Sequence, residues 1–153
     1  MAAGLLYLID PLGQIQKAND AKRKSDLEQL QRTLETYYND NGKYPPSSGN
    51  AVIPPCSGTY RINPPTGCME WGISWTAYNT KLPIDPTSSA RNYVYYATTD
   101  GQSYRLYASL QKSGDPQLCF PSTGAVCTNA SGFGVNGCGG VCNFGVSSPN
   151  TSP

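Results

Sequence analysis

The chain has 153 residues, a formal net charge of +1, 14% charged residues and no histidine. The near-neutral charge argues against a nucleic-acid-binding protein, which normally carries a basic surface. The lack of histidine excludes catalytic sites built on Ser-His-Asp or Cys-His and metal sites built on imidazole. The 16 glycines and 13 prolines favour a loop-rich domain over a helical bundle.

The N-terminal segment 1–42 is predicted to form one long helix. Its start is apolar, but the apolar run is shorter than the roughly 20 residues that cross a bilayer, and Pro11 is expected to kink it. The globular part is not expected to cover this end, so we assign it to contact with partner molecules. The residues of this assembly helix are Leu5, Leu6, Leu8, Ile9, Leu12 and Ile15.

The rest of the predicted helix carries an apolar stripe, which is typical of a helix that packs on a sheet. The residues expected to pack against the head are Leu27, Leu30, Leu34 and Tyr37. Between Lys17 and Ser25 only Ala18 and Ala21 are apolar, so this stretch is expected to bury little and to form a solvated, charged face. Its charged residues and those that follow are Lys17, Asp20, Lys22, Arg23, Lys24, Asp26 and Glu28.

The helix is predicted to end in the turn formers Asn39–Gly42 and to lead into a globular head, residues 43–153. Segment 46–70 shows no periodicity and is predicted to be a loop. Trp71, Trp75 and Tyr78 lie four and three residues apart, which indicates a turn or two of amphipathic helix. An aromatic stripe of this kind could be a ligand platform, but it is more often part of a core.

The clearest strand signal is a hairpin within residues 92–110. Asn92–Thr98 and Ser103–Leu110 are rich in tyrosine, valine and leucine, and Asp100 and Gly101 lie between them. The Cys/Gly-rich C-terminal region is predicted to hold one or two short strands. The sequence therefore predicts an α+β fold, with a long N-terminal helix packed on a small antiparallel sheet and with disulfide-bonded loops.

The six cysteines all follow the predicted helix and indicate disulfides formed in an oxidising compartment. They are Cys56, Cys68, Cys119, Cys127, Cys138 and Cys142. We expect Cys56 to pair with Cys68, because the two are close in sequence and distant from the other four, whose pairing stays open. A cysteine-only zinc site is the alternative, but the spacing lacks the Cys-x2-Cys pairs of structural zinc sites.

Few residues could carry out catalysis. Asp85, Asp100 and Asp115 could supply paired carboxylates for acid–base chemistry, but each precedes a proline or glycine, where aspartate is typical of a turn. We therefore predict a protein that is not an enzyme and has no catalytic residues, no metal ion and no cofactor.

Two segments together resemble the type IV pilin superfamily, which includes type II secretion pseudopilins. Lys17–Pro45 is similar to the helix-to-loop junction of bacterial pilin-like proteins, and Lys81–Leu110 is similar to their Leu-Pro-x-Asp-Pro turn and the sheet after it. Ala2–Ile9 resembles the end of the family's apolar helix. The resemblance implies a pilin-like fold and an apolar segment that precedes this chain in the intact protein. The residues of the turn motif are Leu82, Pro83, Asp85 and Pro86.

The resemblance also implies a structural subunit of an extracellular, type IV pilus-type filament on a bacterial surface. The subunit would be anchored in the inner membrane before assembly. It would then bundle its N-terminal helix with those of other pilin subunits and leave the head outside. Charged residues between Lys17 and Glu28 would form inter-subunit pairs, and this chain alone is expected to be monomeric.

Two alternatives stay open from the sequence. A type II secretion pseudopilin is less favoured, because the acidic calcium loop of that group has only a poor counterpart in Gly114–Gln117. An exported, disulfide-rich binding or adhesin module, such as a minor pilin, would contact DNA or a surface ligand through a basic or aromatic patch. The basic residues available for such a patch are Arg61, Lys81, Arg91, Arg105 and Lys112.

Overall fold

The computed structural model describes residues 10–48, 60–130, 132–133 and 135–153. These residues form a long helix and two small antiparallel sheets, so the predicted α+β fold with a long N-terminal helix is confirmed. The elements in chain order are α1 (Pro11–Asn41), β1 (Ser74–Trp75), β2 (Thr80–Lys81), β3 (Val94–Ala97), β4 (Tyr104–Ala108) and β5 (Phe144–Ser147).

Both ends of α1 are set by local chemistry. The Asp10 carboxylate accepts the Gly13 N–H at 2.9 Å, and Pro11 fills the first helical position, where its missing N–H has no cost. Pro11 therefore starts this helix rather than kinking it, and the predicted apolar residues Leu5, Leu6, Leu8 and Ile9 lie outside the described ranges. The predicted stop is confirmed: Gly42 adopts a left-handed φ of 69° and donates its N–H to the Tyr38 carbonyl at 2.7 Å.

The main sheet has the order β3-β4-β5, with all pairs antiparallel. The predicted hairpin is confirmed as β3 and β4, in which Val94 pairs with Tyr107 and Ala97 with Tyr104. Its turn depends on Gly101 at φ 67° and on Asp100, whose carboxylate accepts the Thr98 hydroxyl at 2.6 Å. The C-terminal region contributes the edge strand β5, as the sequence predicted.

The larger core lies between α1 and one face of this sheet. The stripe residues of the helix share one buried cluster with alternate residues of the strands, because a strand points every second side chain to the same face. This core includes Leu27, Leu30, Leu34 and Tyr37 from the helix and Tyr95, Ala97, Tyr104, Leu106, Ala108 and Phe144 from the main sheet.

The opposite face of the sheet is covered by the C-terminal region. Val94 and Tyr107 point to this side and pack against Ala130 and disulfide-bonded cysteines. Two disulfides are found here, Cys119–Cys127 and Cys138–Cys142. Because these four cysteines are paired, they do not form the zinc site that was considered as an alternative. Cys68 is also disulfide-bonded, whereas its predicted partner Cys56 lies outside the described residues.

Two local predictions need correction. Trp71, Trp75 and Tyr78 do not form an amphipathic helix, because β1, a 3₁₀ turn over Thr76–Tyr78 and β2 make a small hairpin instead. Trp75 is buried against Tyr37, at 5.6 Å between ring centroids, so the preferred interpretation as core holds for this residue. Segment 46–70 is not wholly irregular, since Ile62 bridges both Ser47 and Met69 and is fully buried.

The helix-side core predicts a contrast between two leucines of α1. Leu30 is 2% exposed, whereas Leu12 is 64% exposed. Leu30→Ala should lower the free energy of unfolding by about 2–5 kcal/mol, because it removes buried apolar surface and leaves a cavity. The matched control Leu12→Ala should change it by less than about 0.5 kcal/mol. Urea titrations followed by circular dichroism measure both, and similar losses in the two variants would contradict this placement of the helix.

Candidate assembly surface and the buried ion network

Three charged residues of α1 are buried, which corrects part of the predicted solvated face, whereas Lys17, Lys22 and Glu28 are exposed. Arg23 is fully buried, and Asp20 and Asp26 are buried beside it. These three residues recur every three positions and continue the face that carries Leu27 and Leu30. Charged side chains can occupy such a stripe when their partners lie on the facing elements, and these partners are distant in the sequence. In the sequence, the signal for this burial was the helical spacing of the three charged residues, which is in phase with the leucines.

Arg23 is at the centre of this network. Its Nε and Nη2 donate to the two oxygens of Asp85 at 2.8 and 2.9 Å, in a bidentate pair. Nη1 donates to Asp20 at 2.8 Å and to the Gln111 side-chain oxygen at 3.2 Å, and Nη2 also donates to the Thr87 hydroxyl at 2.8 Å. All five donors of the guanidinium therefore have acceptors.

The two carboxylates are held from other directions as well. Asp85 accepts the Thr87 N–H at 2.7 Å, which is the turn chemistry that the sequence predicted for it. Asp20 accepts the backbone N–H groups of Gln111 and Lys112 at 2.9 Å each. The network thus joins α1 to the loop before β3 and to the loop after β4.

The electrostatic balance of this network favours its charged form. Burial alone raises the pKa of Asp85, but hydrogen bonds from Arg23 and Thr87 outweigh it, so the pKa of that carboxyl lies below its usual value. For Arg23, burial lowers the pKa, but the hydrogen bonds and charges of Asp85 and Asp20 raise it by a larger amount. The pKa of Arg23 therefore lies above its usual value. Both groups remain ionised near neutral pH.

Two flanking contacts extend the docking of the helix. Asp26 accepts the Tyr93 hydroxyl at 2.6 Å and pairs with Lys22 at 2.8 Å. Burial and the charge of Asp26 raise the pKa of Tyr93 above its ordinary value. Lys24 forms an ion pair with Asp115 at 2.6 Å. Asp115 also accepts the Gln117 N–H at 2.9 Å, which stabilises its turn. Most of the charges assigned to inter-subunit contacts are therefore used within this chain.

The first turns of α1 differ from the rest of the helix. Leu12 and Ile15 are 64% and 58% exposed, although their helical phase matches that of the buried stripe. The helix-facing core and network begin only at Asp20, so the packing face of α1 continues beyond the head with apolar residues that no described residue covers. We call Leu12 and Ile15 the apolar end of α1. In the described part of the chain, no helix is both long and apolar enough to cross a membrane.

The five basic residues considered for a head patch do not form one. Arg61 and Arg91 line the same pocket, next to Trp71. Lys112 lines a different groove, beside α1, and Arg105 donates to Thr151 and to the Ser152 carbonyl near the C-terminus. Lys81 is exposed on β2. The sequence did not indicate which two of the five would meet, because they belong to separate loops.

Acidic residues are likewise dispersed. Asp85 is bound to Arg23, Asp100 stabilises the hairpin turn, and Asp115 pairs with Lys24. Among the residues that the structure describes, no group of three or more His, Cys, Asp or Glu could hold a metal ion.

Comparisons with known proteins found no matching protein family, no similar curated protein and no similar solved structure.

The ion network predicts that Arg23 contributes strongly to stability. Arg23→Ala leaves two buried carboxylates without their cation, which should lower the free energy of unfolding by about 3–5 kcal/mol. Arg32→Ala removes an exposed arginine from the same helix and should change it by less than about 0.5 kcal/mol. Chemical denaturation of both variants at pH 7 measures the difference, and equal stabilities would show that the buried pairing is unimportant.

The lowered pKa of Asp85 predicts that the folded chain loses stability in acid. Because the pKa of Asp85 is lower in the folded chain, its contribution is fully present above the unfolded value of about 3.9 and is lost as the pH falls through the folded value. Free energies of unfolding measured from pH 7 to pH 2 should therefore fall below about pH 4. Asp85→Asn should be less stable at pH 7 and show a shallower acid decline, and an unchanged slope in the variant would contradict this assignment.

Proposed function

We propose that this chain is the helix-and-head part of a structural subunit of a bacterial, extracellular filament of the type IV pilus type. The subunit acts without catalysis, is anchored in the inner membrane before assembly, and associates through its N-terminal helix with other copies. The head then lies on the outside of the filament. A type II secretion pseudopilin is the nearest alternative within the same superfamily.

One observation carries the proposal: the packing face of α1 extends past the head as the apolar end, Leu12 and Ile15. An apolar helix face that its own domain leaves uncovered is suited to packing against helices of neighbouring subunits. A heterologous contact of this kind, repeated without closure, generates an open filament.

The rigid attachment of α1 to the head also supports the proposal. The buried network around Arg23 and the leucine stripe fix the helix at two levels along its length, so a load on the helix is transmitted to the head. The disulfides suit an oxidising, extracellular setting. Inter-subunit ion pairs have a smaller role than the sequence suggested, since Asp20, Arg23 and Asp26 have partners within the chain.

Substitution of the apolar end tests the proposal. In cells that express the intact protein, Leu12→Asp with Ile15→Asp should abolish surface filaments in electron micrographs, because charge is then placed in the helical contact. The matched control Ser25→Asp adds a charge at an exposed position of α1 and should leave filaments in place.

Protein level and folding serve as controls in the same cells. The doubly substituted head should retain its denaturation midpoint, since both positions are exposed, and light scattering should show the unmodified 153-residue chain as a monomer. Filaments of normal number in the double variant would contradict the proposal, and so would filaments formed by these 153 residues alone.

A further inference from the structure

Arg91 contrasts with Arg23, because none of the hydrogen bonds or ion pairs among the described residues involves its side chain. Its Nε–H is fully buried without an acceptor, and only its backbone N–H is bound, to the Thr87 carbonyl at 2.9 Å. A buried guanidinium donor that lacks a partner is rare in folded proteins and unfavourable. A ligand from solvent cannot reach this buried Nε–H. The Nη1 and Nη2 groups of Arg91 likewise have no acceptor among the described residues, and they are the donors that can bind an anion from outside the chain.

Arg91 lines a surface pocket of about 180 Å³. The pocket combines charged, aromatic, aliphatic and neutral polar side chains, and its lining includes Arg61, Trp71, Ile84, Ser88, Arg91 and Asn92. It is smaller than the roughly 300–1,000 Å³ of sites that enclose drug-sized molecules. This volume limits the ligand to one small molecule or to one residue of a polymer.

The charges of the pocket leave a surplus on Arg91. Glu70 and Asp85 also line it, but Glu70 pairs with Arg61 at 3.0 Å and Asp85 is bound by Arg23. The cation without a compensating anion is thus Arg91. A guanidinium offers a planar fork of donors, and a carboxylate is the anion that matches this fork in two parallel hydrogen bonds.

The walls of the pocket are fixed before any ligand arrives. The Trp71 indole N–H donates to the Tyr93 carbonyl at 2.9 Å, and the Arg61 guanidinium lies 5.7 Å from the centre of the Trp71 ring. The Asn92 amide donates to the Gly137 carbonyl at 2.9 Å. Pre-formed walls reduce the entropy lost on binding.

The remaining lining distinguishes between anions. The Glu70 side chain is 39% exposed, so its carboxylate repels a doubly charged phosphate more strongly than a singly charged carboxylate. Ser88 and Asn92 add partners for hydroxyls, and Trp71 and Ile84 provide apolar surface for the carbon face of a ring. These features together fit a singly charged carboxylate attached to a hydroxylated ring.

We propose that this pocket binds a sugar acid, with the carboxylate held by Arg91. The occupant is a single uronic-acid unit, either free or at the end of a polysaccharide. The site is on the head and is independent of filament assembly through α1, so the two proposals can fail separately.

The test is a titration of the isotopically labelled 153-residue chain with methyl glucuronide, followed by two-dimensional NMR. The neutral counterpart methyl glucoside differs only at the carboxylate and serves as the matched ligand. We expect the glucuronide to shift the Trp71 indole and the Ser88, Arg91 and Asn92 amide signals, and the glucoside to leave them in place. Arg91→Gln should weaken glucuronide binding by at least about tenfold, the usual loss for a charged hydrogen bond.

Control variants separate the site from general charge effects. Lys81→Gln removes an exposed cation elsewhere on the head and should not alter binding, and Arg91→Lys should bind with intermediate strength because it keeps the charge and loses the fork. Arg91 makes no side-chain bond within the described chain, so its variants should fold normally. The proposal is overturned if the glucoside binds equally well, if inorganic phosphate competes as effectively as the glucuronide, or if Arg91→Gln leaves the affinity unchanged.

Discussion

The structure depends on the neutralisation of one buried cation. The Arg23 guanidinium is fully buried, and such a group is tolerated only if every donor has an acceptor and its charge is balanced. Its acceptors come from three separate parts of the chain: Asp20 in α1, Asp85 and Thr87 before β3, and Gln111 after β4. A stripe of leucines could slide by one helical turn and still bury apolar surface, but this set of donors and acceptors matches in a single alignment. The network therefore fixes the position of the helix along the sheet.

The two faces of the sheet are stabilised by different means. On the helix side, leucines and tyrosines form a continuous core. The hydroxyls of Tyr44, Tyr93 and Tyr104 donate to carboxylates, in the case of Tyr104 to Glu35 at 3.1 Å. On the other side, a region rich in glycine and cysteine covers Val94 and Tyr107. Burial raises the pKa of Tyr107 to about 12, which reflects how well this region excludes water from the sheet. A three-stranded sheet thus has both faces covered, one by a helix and the other by loops held by disulfides.

Local signals in the sequence predicted the helix, its stop at Gly42, the hairpin with Asp100 and Gly101, and a short C-terminal strand. These features depend on periodicity and turn chemistry over a few residues. The burial of Arg23 could not be predicted in this way, because its partner Asp85 is 62 residues away and a run of mixed charges usually faces solvent. Likewise, Arg61 and Arg91 meet beside Trp71 only through tertiary folding. Trp75 was predicted within a helix because a spacing of three and four residues also arises when a strand follows a turn.

The two disulfides between β4 and β5 join cysteines only eight and four residues apart. Neither connects residues 119–142 to α1 or to β3, so this part of the segment is constrained mainly by its own bonds and by its contact with one face of the sheet. Residues 111–115, in contrast, are bound to α1 through Asp20, Arg23 and Lys24. Loops such as residues 119–142 accept insertions and deletions at little thermodynamic cost. Over evolutionary time, relatives of this protein are therefore expected to diverge most in length and sequence between Cys119 and Cys142. In these relatives, we expect Asp20, Arg23 and Asp85 to be conserved together or substituted together.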